Sequence, residues 1–202
     1  MRLRQVQGAV RCATIAGVLL FAAACRPVPP PELPALPVRS SGAPISFQTQ
    51  VQPLLAQRCV VCHGCNDAPC QLLLSSHTGL ARGASKAAVY DTDRLTSAAP
   101  TRLFVDAHGE EWRQRGFFSV LGATASPPSA DLLIEMLALG RAHPFVAGET
   151  LPDAVKLDID RTLACPTAEE FPAYAQSSPY GGMPYGMAPL SDAELEILTT
   201  WV

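Results

Sequence analysis

The chain has 202 residues, of which 15 are Lys or Arg and 18 are Asp or Glu, for a formal net charge of −3 at pH 7. This length is enough for one domain with a packed core. The slightly acidic balance leaves no basic surface of the kind that binds nucleic acid, so we expect no nucleic-acid partner.

The first 24 residues have the pattern of an export signal. Three arginines precede an apolar run over residues 13–24, and this run is too short for a comfortable membrane span. Small residues then precede Cys25, as in the lipid-attachment box of bacterial lipoproteins. We therefore predict a signal peptide of lipoprotein type over 1–24 and a periplasmic protein anchored to a membrane through lipidated Cys25. The alternative is an ordinary secretory signal with an incidental cysteine.

Two segments follow the predicted signal. Residues 25–44 are rich in proline, which favours an extended tether that holds the domain away from the membrane. In Ile45–Gln57 the apolar residues recur at helical spacing, and Pro53 should kink the helix that they predict. This helix would lead directly into Cys59.

Cys59-Val60-Val61-Cys62-His63 has the spacing of an attachment site for c-type haem. Each thiol can form a thioether with a haem vinyl group, and the adjacent imidazole reaches the iron as the proximal ligand. The export signal agrees with this interpretation, because c-type cytochromes are assembled outside the bacterial cytoplasm. The motif predicts one covalent haem c held by Cys59, Cys62 and His63.

The remaining cysteines leave alternatives open. Together with Cys59 and Cys62, Cys65 and Cys70 approximate a four-thiolate site for an iron–sulfur cluster or zinc, although His63 favours haem. In an oxidising compartment we expect one disulfide among Cys65, Cys70 and Cys165. Cys65 and Cys70 are the closest pair, and Cys165 competes for either partner.

A second pattern typical of haem proteins lies near residue 183. Ser191 and Glu194 form a capping box that opens an amphipathic helix. Met183-Pro184 lies just upstream in a loop rich in Gly and Pro. This order is typical of the distal half of a cytochrome c domain, with Met183 as the second axial ligand. The competing ligands are a methionine and three histidines: Met187, His77, His108 and His143.

The stretch between these two patterns is longer than a minimal cytochrome needs. We expect a helix over Ala130–Leu139, starting at Ser129, and a short helix opened by a capping box at Thr167–Glu170. No alternating strand pattern is evident. The sequence therefore predicts a mainly α fold, in which a cytochrome c-like domain over 45–202 carries a long insertion at about 75–180, between the haem-attachment helix and the C-terminal helix.

Three aromatic residues in the insertion need an interpretation. Trp112 and the pair Phe117-Phe118 could line a haem or lipid pocket, but core packing is the expected role for each.

Five stretches of the chain are similar to those of a known enzyme family. They are Val51–Leu72, Arg82–Lys86, Pro100–Asp106, Glu111–Phe118 and Gly182–Gly186. The chain resembles the bacterial fatty acid cis/trans isomerases over about 45–202. The resemblance implies a periplasmic haem enzyme that converts cis double bonds of membrane unsaturated fatty acids to trans without ATP or nicotinamide.

The resemblance also implies a substrate and a chemistry. The substrates would be acyl chains of membrane phospholipids or free unsaturated fatty acids. Ferric haem would transiently withdraw an electron from the π bond and return it after rotation. Because family members are longer, we expect this chain to be a fragment, a truncated reading frame or a stand-alone domain. The alternative function is a one-electron carrier that serves a redox partner protein.

Overall fold

The computed structural model describes residues 32–64, 68–87, 109–122, 131–146, 148–150, 155 and 165–202. The predicted signal peptide over 1–24, Cys25, Cys65 and His108 lie outside these residues. All the described residues belong to one compact unit, Pro31–Val202.

The predicted mainly α fold is confirmed in the described part of the chain. It contains a π-helical turn, Phe47–Val51, a 3-10 turn, Pro69–Gln71, and seven α-helices. The α-helices are α1 (Gln52–Arg58), α2 (Val60–His63), α3 (His77–Arg82), α4 (Glu110–Gln114), α5 (Leu132–Ala142), α6 (Phe171–Ser177) and α7 (Asp192–Trp201). These residues form no strand, and the extended pairing seen among them is an isolated antiparallel bridge between Ala84 and Phe118.

The helix predicted before Cys59 is confirmed, whereas the kink at Pro53 stays a prediction. Pro53 lies in the first turn of α1, where its missing N–H group is tolerated. The chain changes from π-helical to α-helical geometry at this point. Val51, Leu54 and Leu55 are buried on the face that the apolar spacing indicated. Burial of a side chain of this size contributes about 1.5–3 kcal/mol to stability.

The predicted start of α5 at Ser129 is wrong. The helix spans Leu132–Ala142, and the carboxylate of Asp131 accepts a hydrogen bond from the backbone N–H of Ile134 at 3.3 Å. The same carboxylate accepts from the backbone N–H of Gly122 at 3.1 Å. Asp131 therefore caps the helix and ties it to the preceding segment.

The hydrogen bonds predicted for both capping boxes are present. Thr167 and Glu170 exchange backbone-to-side-chain bonds of 2.9 and 3.4 Å. However, the regular helix begins only at Phe171, with Glu170 as its N-cap, so this exchange lies in the turn just before the helix. Ser191 and Glu194 make the same exchange at 2.7 and 3.4 Å. These boxes satisfy N–H groups that would otherwise lack partners at the helix starts.

The core joins both ends of the described chain. Leu195 and Leu198 of α7 are buried in the same cluster as Val51 and Leu55. The Phe47 and Trp201 rings meet at a centroid distance of 5.5 Å. The segment that leads into Cys59 therefore packs against the last helix through apolar contacts, which favour folding.

The segment over 33–39 is not the free tether that was predicted for 25–44. It contains no helix, as its prolines require, but Leu33 and Leu36 pack against the core. The Arg39 backbone N–H donates to the Thr200 hydroxyl at 2.9 Å, and its guanidinium lies 3.5 Å from Glu196. Apolar residues between the prolines explain the difference, because they gain stability by packing against the core.

Candidate functional site

The haem motif folds as one helical turn. α2 begins directly after Cys59, and the backbone N–H of His63 donates to the Cys59 carbonyl at 2.9 Å. Cys59 is half-buried and Cys62 is exposed, and neither is in a disulfide. The turn therefore brings two thiols and an imidazole together on a short backbone, as attachment of haem c requires.

The imidazole of His63 is held in one tautomer. The side chain is buried, and its Nδ1 donates to the backbone carbonyl of Leu72 at 3.1 Å. Burial lowers the pKa of His63, although the bond to Leu72 acts in the opposite direction. A neutral ring protonated at Nδ1 presents the Nε2 lone pair, and metal-binding histidines commonly have this arrangement.

The Cys59 thiol is not a ready nucleophile. Burial raises its pKa to about 11, Cys62 and Glu194 also raise the pKa, and Arg58 lowers it. The group therefore stays protonated at neutral pH. This disfavours a catalytic thiolate, which needs a lowered pKa and an electropositive surrounding.

The disulfide expected among Cys65, Cys70 and Cys165 is present, but the pairing of Cys65 with Cys70 is wrong and the competing partner Cys165 takes its place. Cys70 forms a disulfide with Cys165, at a Cα–Cα distance of 5.7 Å and a sequence separation of 95. The fold brings these distant residues within bridging distance. Because the disulfide consumes the Cys70 thiol, a four-thiolate iron–sulfur or zinc site that includes Cys70 is also wrong.

Arg58 connects the haem motif with the segment that follows Met183. Its guanidinium donates to the backbone carbonyls of Ala188 and Pro189 at 3.0 and 3.1 Å. It also lies 3.5 Å from the Glu194 carboxylate. We call the Gly- and Pro-rich segment over residues 181–190 the methionine loop. Arg58, directly before Cys59, thus fixes the end of this loop and the first turn of α7.

The backbone of Met183 lies directly on α5. Its N–H donates to the Met136 carbonyl at 2.8 Å. A Cβ atom on Gly140 would lie 2.3 Å from the Met183 carbonyl oxygen, and one on Gly182 would lie 2.0 Å from the Gly140 nitrogen. Only glycine permits so close an approach of a loop to a helix at these two positions.

Tyr174 holds the same loop from the side of α6. Its hydroxyl donates to the Gly181 carbonyl at 2.9 Å. Burial, together with a smaller effect of Tyr185, raises the pKa of Tyr174 to about 12. The hydroxyl therefore remains a donor at neutral pH, and hydrogen bonds hold the methionine loop at Gly181 and at Met183.

The competing distal ligands occupy different settings. Met187 is 38% exposed, whereas Met183 is half-buried against the main core. The exposed ring of His77 packs on Phe47 at a centroid distance of 5.1 Å. His143 contacts the Tyr180 ring at 5.5 Å. Of the two methionines, Met183 is the more buried and its backbone is hydrogen-bonded to α5, whereas its role as a ligand stays a prediction.

Trp112 and Phe117 have the core role that was expected. Both are buried and form a small cluster of their own. The Arg82 guanidinium carbon lies 4.6 Å from the Phe117 ring centroid and 5.5 Å from that of Trp112. The sequence places Arg82 in a stretch similar to the isomerases but predicts no role for it. The available signal was an arginine at a helix end, directly before Gly83, without an acidic neighbour one helical turn away.

A surface hollow of about 300 Å³ lies elsewhere, lined by residues 39–45, Thr200 and Trp201. None of the predicted site residues lines it.

Across the described segments, no helix is both long and apolar enough to cross a membrane.

Comparison with known proteins places the chain in a family. The family model "Fatty acid cis/trans isomerase (CTI)" matches residues 98–202, just over half of the chain. The chain belongs to the fatty acid cis/trans isomerase family. The match includes the methionine loop and α7 but not Cys59–His63. Neither a curated protein nor a solved structure matches the chain. Membership supports a general function in isomerising fatty acids, whereas the haem prediction rests on the chain's own motif.

Proposed function

We propose that the chain is the haem-binding part of a fatty acid cis/trans isomerase. It would carry one covalent haem c on Cys59 and Cys62, with His63 and Met183 as the axial ligands. The observation that carries the proposal is the buried His63 ring, which donates from Nδ1 to Leu72 and keeps Nε2 available beside two free thiols.

The residues present fit this group. The exposed Cys62 and the half-buried Cys59 are accessible to vinyl groups during maturation, and their spacing suits thioether formation. When bound, the haem would supply a reversible one-electron acceptor for the π bond of the substrate. Its potential depends on axial ligands and burial, so His63 and Met183 are the residues through which this chain would tune that chemistry.

The proposal includes a location and a substrate. The signal pattern over 1–24 and Cys25 supports a periplasmic protein anchored to a membrane by a lipid. Family membership supports unsaturated acyl chains of membrane phospholipids, or free fatty acids, as substrates. Anchoring would hold the site near these chains without a membrane-spanning helix.

The experiment combines a cofactor assay with an activity assay. The full chain is produced in a bacterium with the c-type haem maturation system, in parallel with Cys59→Ala/Cys62→Ala. We expect haem to stay on the wild-type protein through acid–acetone extraction and to add one haem to its mass. The double variant should lose it. Val61→Ala, an exposed position in the same turn, is the matched control and should retain haem.

The activity arm measures the trans/cis ratio of unsaturated acyl chains in the membrane when new lipid synthesis is blocked. The ratio should rise with the wild type and Val61→Ala but not with the double variant. Equal isomerisation by the double variant would show that haem is not the reactive centre. Reversible one-electron transfer without isomerisation would instead support the electron-carrier alternative.

A further inference from the structure

The turn that follows the haem motif has an unusual backbone. Cys70 and Gln71 have φ values of 57° and 49°, in the left-handed region that favours glycine. Residues with larger side chains persist there only when the surrounding structure holds them, and such positions are frequent at functional sites.

Contacts with other segments of the chain hold this turn. The disulfide ties Cys70 to Cys165. The backbone N–H of Ser85 donates to the Cys70 carbonyl at 2.8 Å, and the Gln71 side-chain amide donates to the Ala87 carbonyl at 2.8 Å. The turn is thus fixed both to a distant part of the chain and to the segment after α3.

Arg82 adds a buried charge to the same turn. Its side chain is 3% exposed, and its Nη2 donates to the Gln71 carbonyl. Among the described residues it has no acidic partner, and its Nε is buried without a hydrogen bond. A buried guanidinium is costly, and stacking on Trp112 and Phe117 compensates for only part of that cost. The hydrogen bond to the Gln71 carbonyl is therefore the polar interaction that we expect to account for the buried position of the Arg82 side chain.

The turn acts directly on His63. Leu72, the residue after Gln71, provides the carbonyl that accepts from Nδ1 of His63 at 3.1 Å. The backbone N–H of Leu74 donates to the His63 carbonyl at 2.9 Å. Both the ring and the backbone of His63 are thus held by the segment that follows the turn.

We propose that Arg82 and the Cys70–Cys165 disulfide are positioning elements for His63. They fix the turn so that the Leu72 carbonyl holds the imidazole protonated at Nδ1, with Nε2 directed to bind iron. The importance of this positioning for haem rests on the proposed function. The hydrogen bond itself does not, and it can be measured separately.

The test replaces Arg82 in the haem-loaded full chain. Arg82→Met replaces the arginine with an unbranched apolar side chain and so removes the hydrogen-bond donors and the charge. We expect the Nδ1 proton of His63, followed by NMR, to exchange with solvent about tenfold faster or more, because a hydrogen bond to the turn is lost. The reduction potential should rise, because a weaker bond at Nδ1 makes the ligand less basic.

Matched variants separate positioning from stability. Arg39→Met removes an arginine that pairs with Glu196 on α7. It should leave the exchange rate of the His63 proton and the reduction potential at the wild-type values. Arg82→Lys keeps a charged donor and should give intermediate exchange, which also covers failure of Arg82→Met to fold. Cys70→Ser/Cys165→Ser should act in the same direction as Arg82→Met, and the combined effect should be less than additive because one turn is involved.

Wild-type exchange and potential in both the Arg82 and the cysteine variants, with only the melting temperature lowered, would overturn the proposal. A wild-type chain that matures without haem would overturn the proposed function instead. The exchange of the His63 proton, measured on that same chain, would still decide whether Arg82 and the disulfide position the ring.

Discussion

The contact between α5 and the methionine loop leads to a quantitative prediction for Gly140→Ala. The new methyl group would lie 2.3 Å from the Met183 carbonyl oxygen, 2.9 Å from its carbon and 3.1 Å from its nitrogen. All three are backbone atoms, which cannot rotate away as a flexible side chain can. The helix and the loop must therefore separate, and the bond from the Met183 N–H to Met136 must lengthen.

Two effects of opposite sign set the magnitude. Alanine is favoured over glycine inside a helix by about 1 kcal/mol. Overpacking a close contact costs about 1–3 kcal/mol, and a clash with rigid backbone belongs at the upper end. We therefore expect Gly140→Ala to lower the free energy of unfolding by about 2 kcal/mol, the difference between the overpacking cost and the propensity gain.

Chemical denaturation of the wild-type chain and of Gly140→Ala measures this difference. Gly186→Ala is the matched control, since a Cβ there meets nothing within 4 Å and the change carries only the cost of a φ of +67°. In the haem-loaded chain, Gly140→Ala should also weaken the long-wavelength absorption band of methionine-ligated ferric haem, and Gly186→Ala should not. A neutral or stabilising Gly140→Ala would show that propensity dominates and that the close approach is absent in solution.

Two further predictions concern stability. Ser191→Ala removes the cap on Glu194 and should lower the free energy of unfolding by about 1 kcal/mol; an unchanged denaturation midpoint would contradict the cap. Glu135 has a buried carboxylate oxygen without a partner, and burial, with Asp131, raises its pKa above 4.5. Because the folded state binds this proton more tightly than the unfolded state does, the free energy of unfolding falls as pH rises and Glu135 ionises. Glu135→Gln should therefore stabilise the protein at neutral pH, and the gain should vanish below pH 4.5. A gain that is equal at both pH values would refute this.

Features that depend on a few adjacent residues could be predicted from the sequence. The two capping boxes are present because each needs only a hydroxyl and a carboxylate three positions apart. The turn that carries Cys59–His63 and the change of helix geometry at Pro53 are local in the same sense. Asp131 displaced Ser129 as the cap of α5 because its carboxylate bonds both the helix and a segment nine residues upstream.

Features that depend on the path of the chain could not be predicted. The partner of Cys70 is 95 residues away, so proximity in sequence favoured the wrong pairing with Cys65. Arg82 gave no strong sequence signal, because its burial comes from α4 folding back over α3. The contact of Gly140 with Met183 likewise joins two segments whose register only the tertiary structure sets.

The haem motif and the segment matched to the isomerase family share one folding unit, although they lie in different parts of the sequence. Cys70 lies before the matched segment, and Cys165, its disulfide partner, lies within it. Arg58, directly before the motif, bonds to residues 188 and 189 and pairs with Glu194. One buried cluster takes side chains from α1 and from α7. A core, a disulfide and an ion pair therefore cross the boundary between the motif and the matched segment, so we expect the two to unfold together.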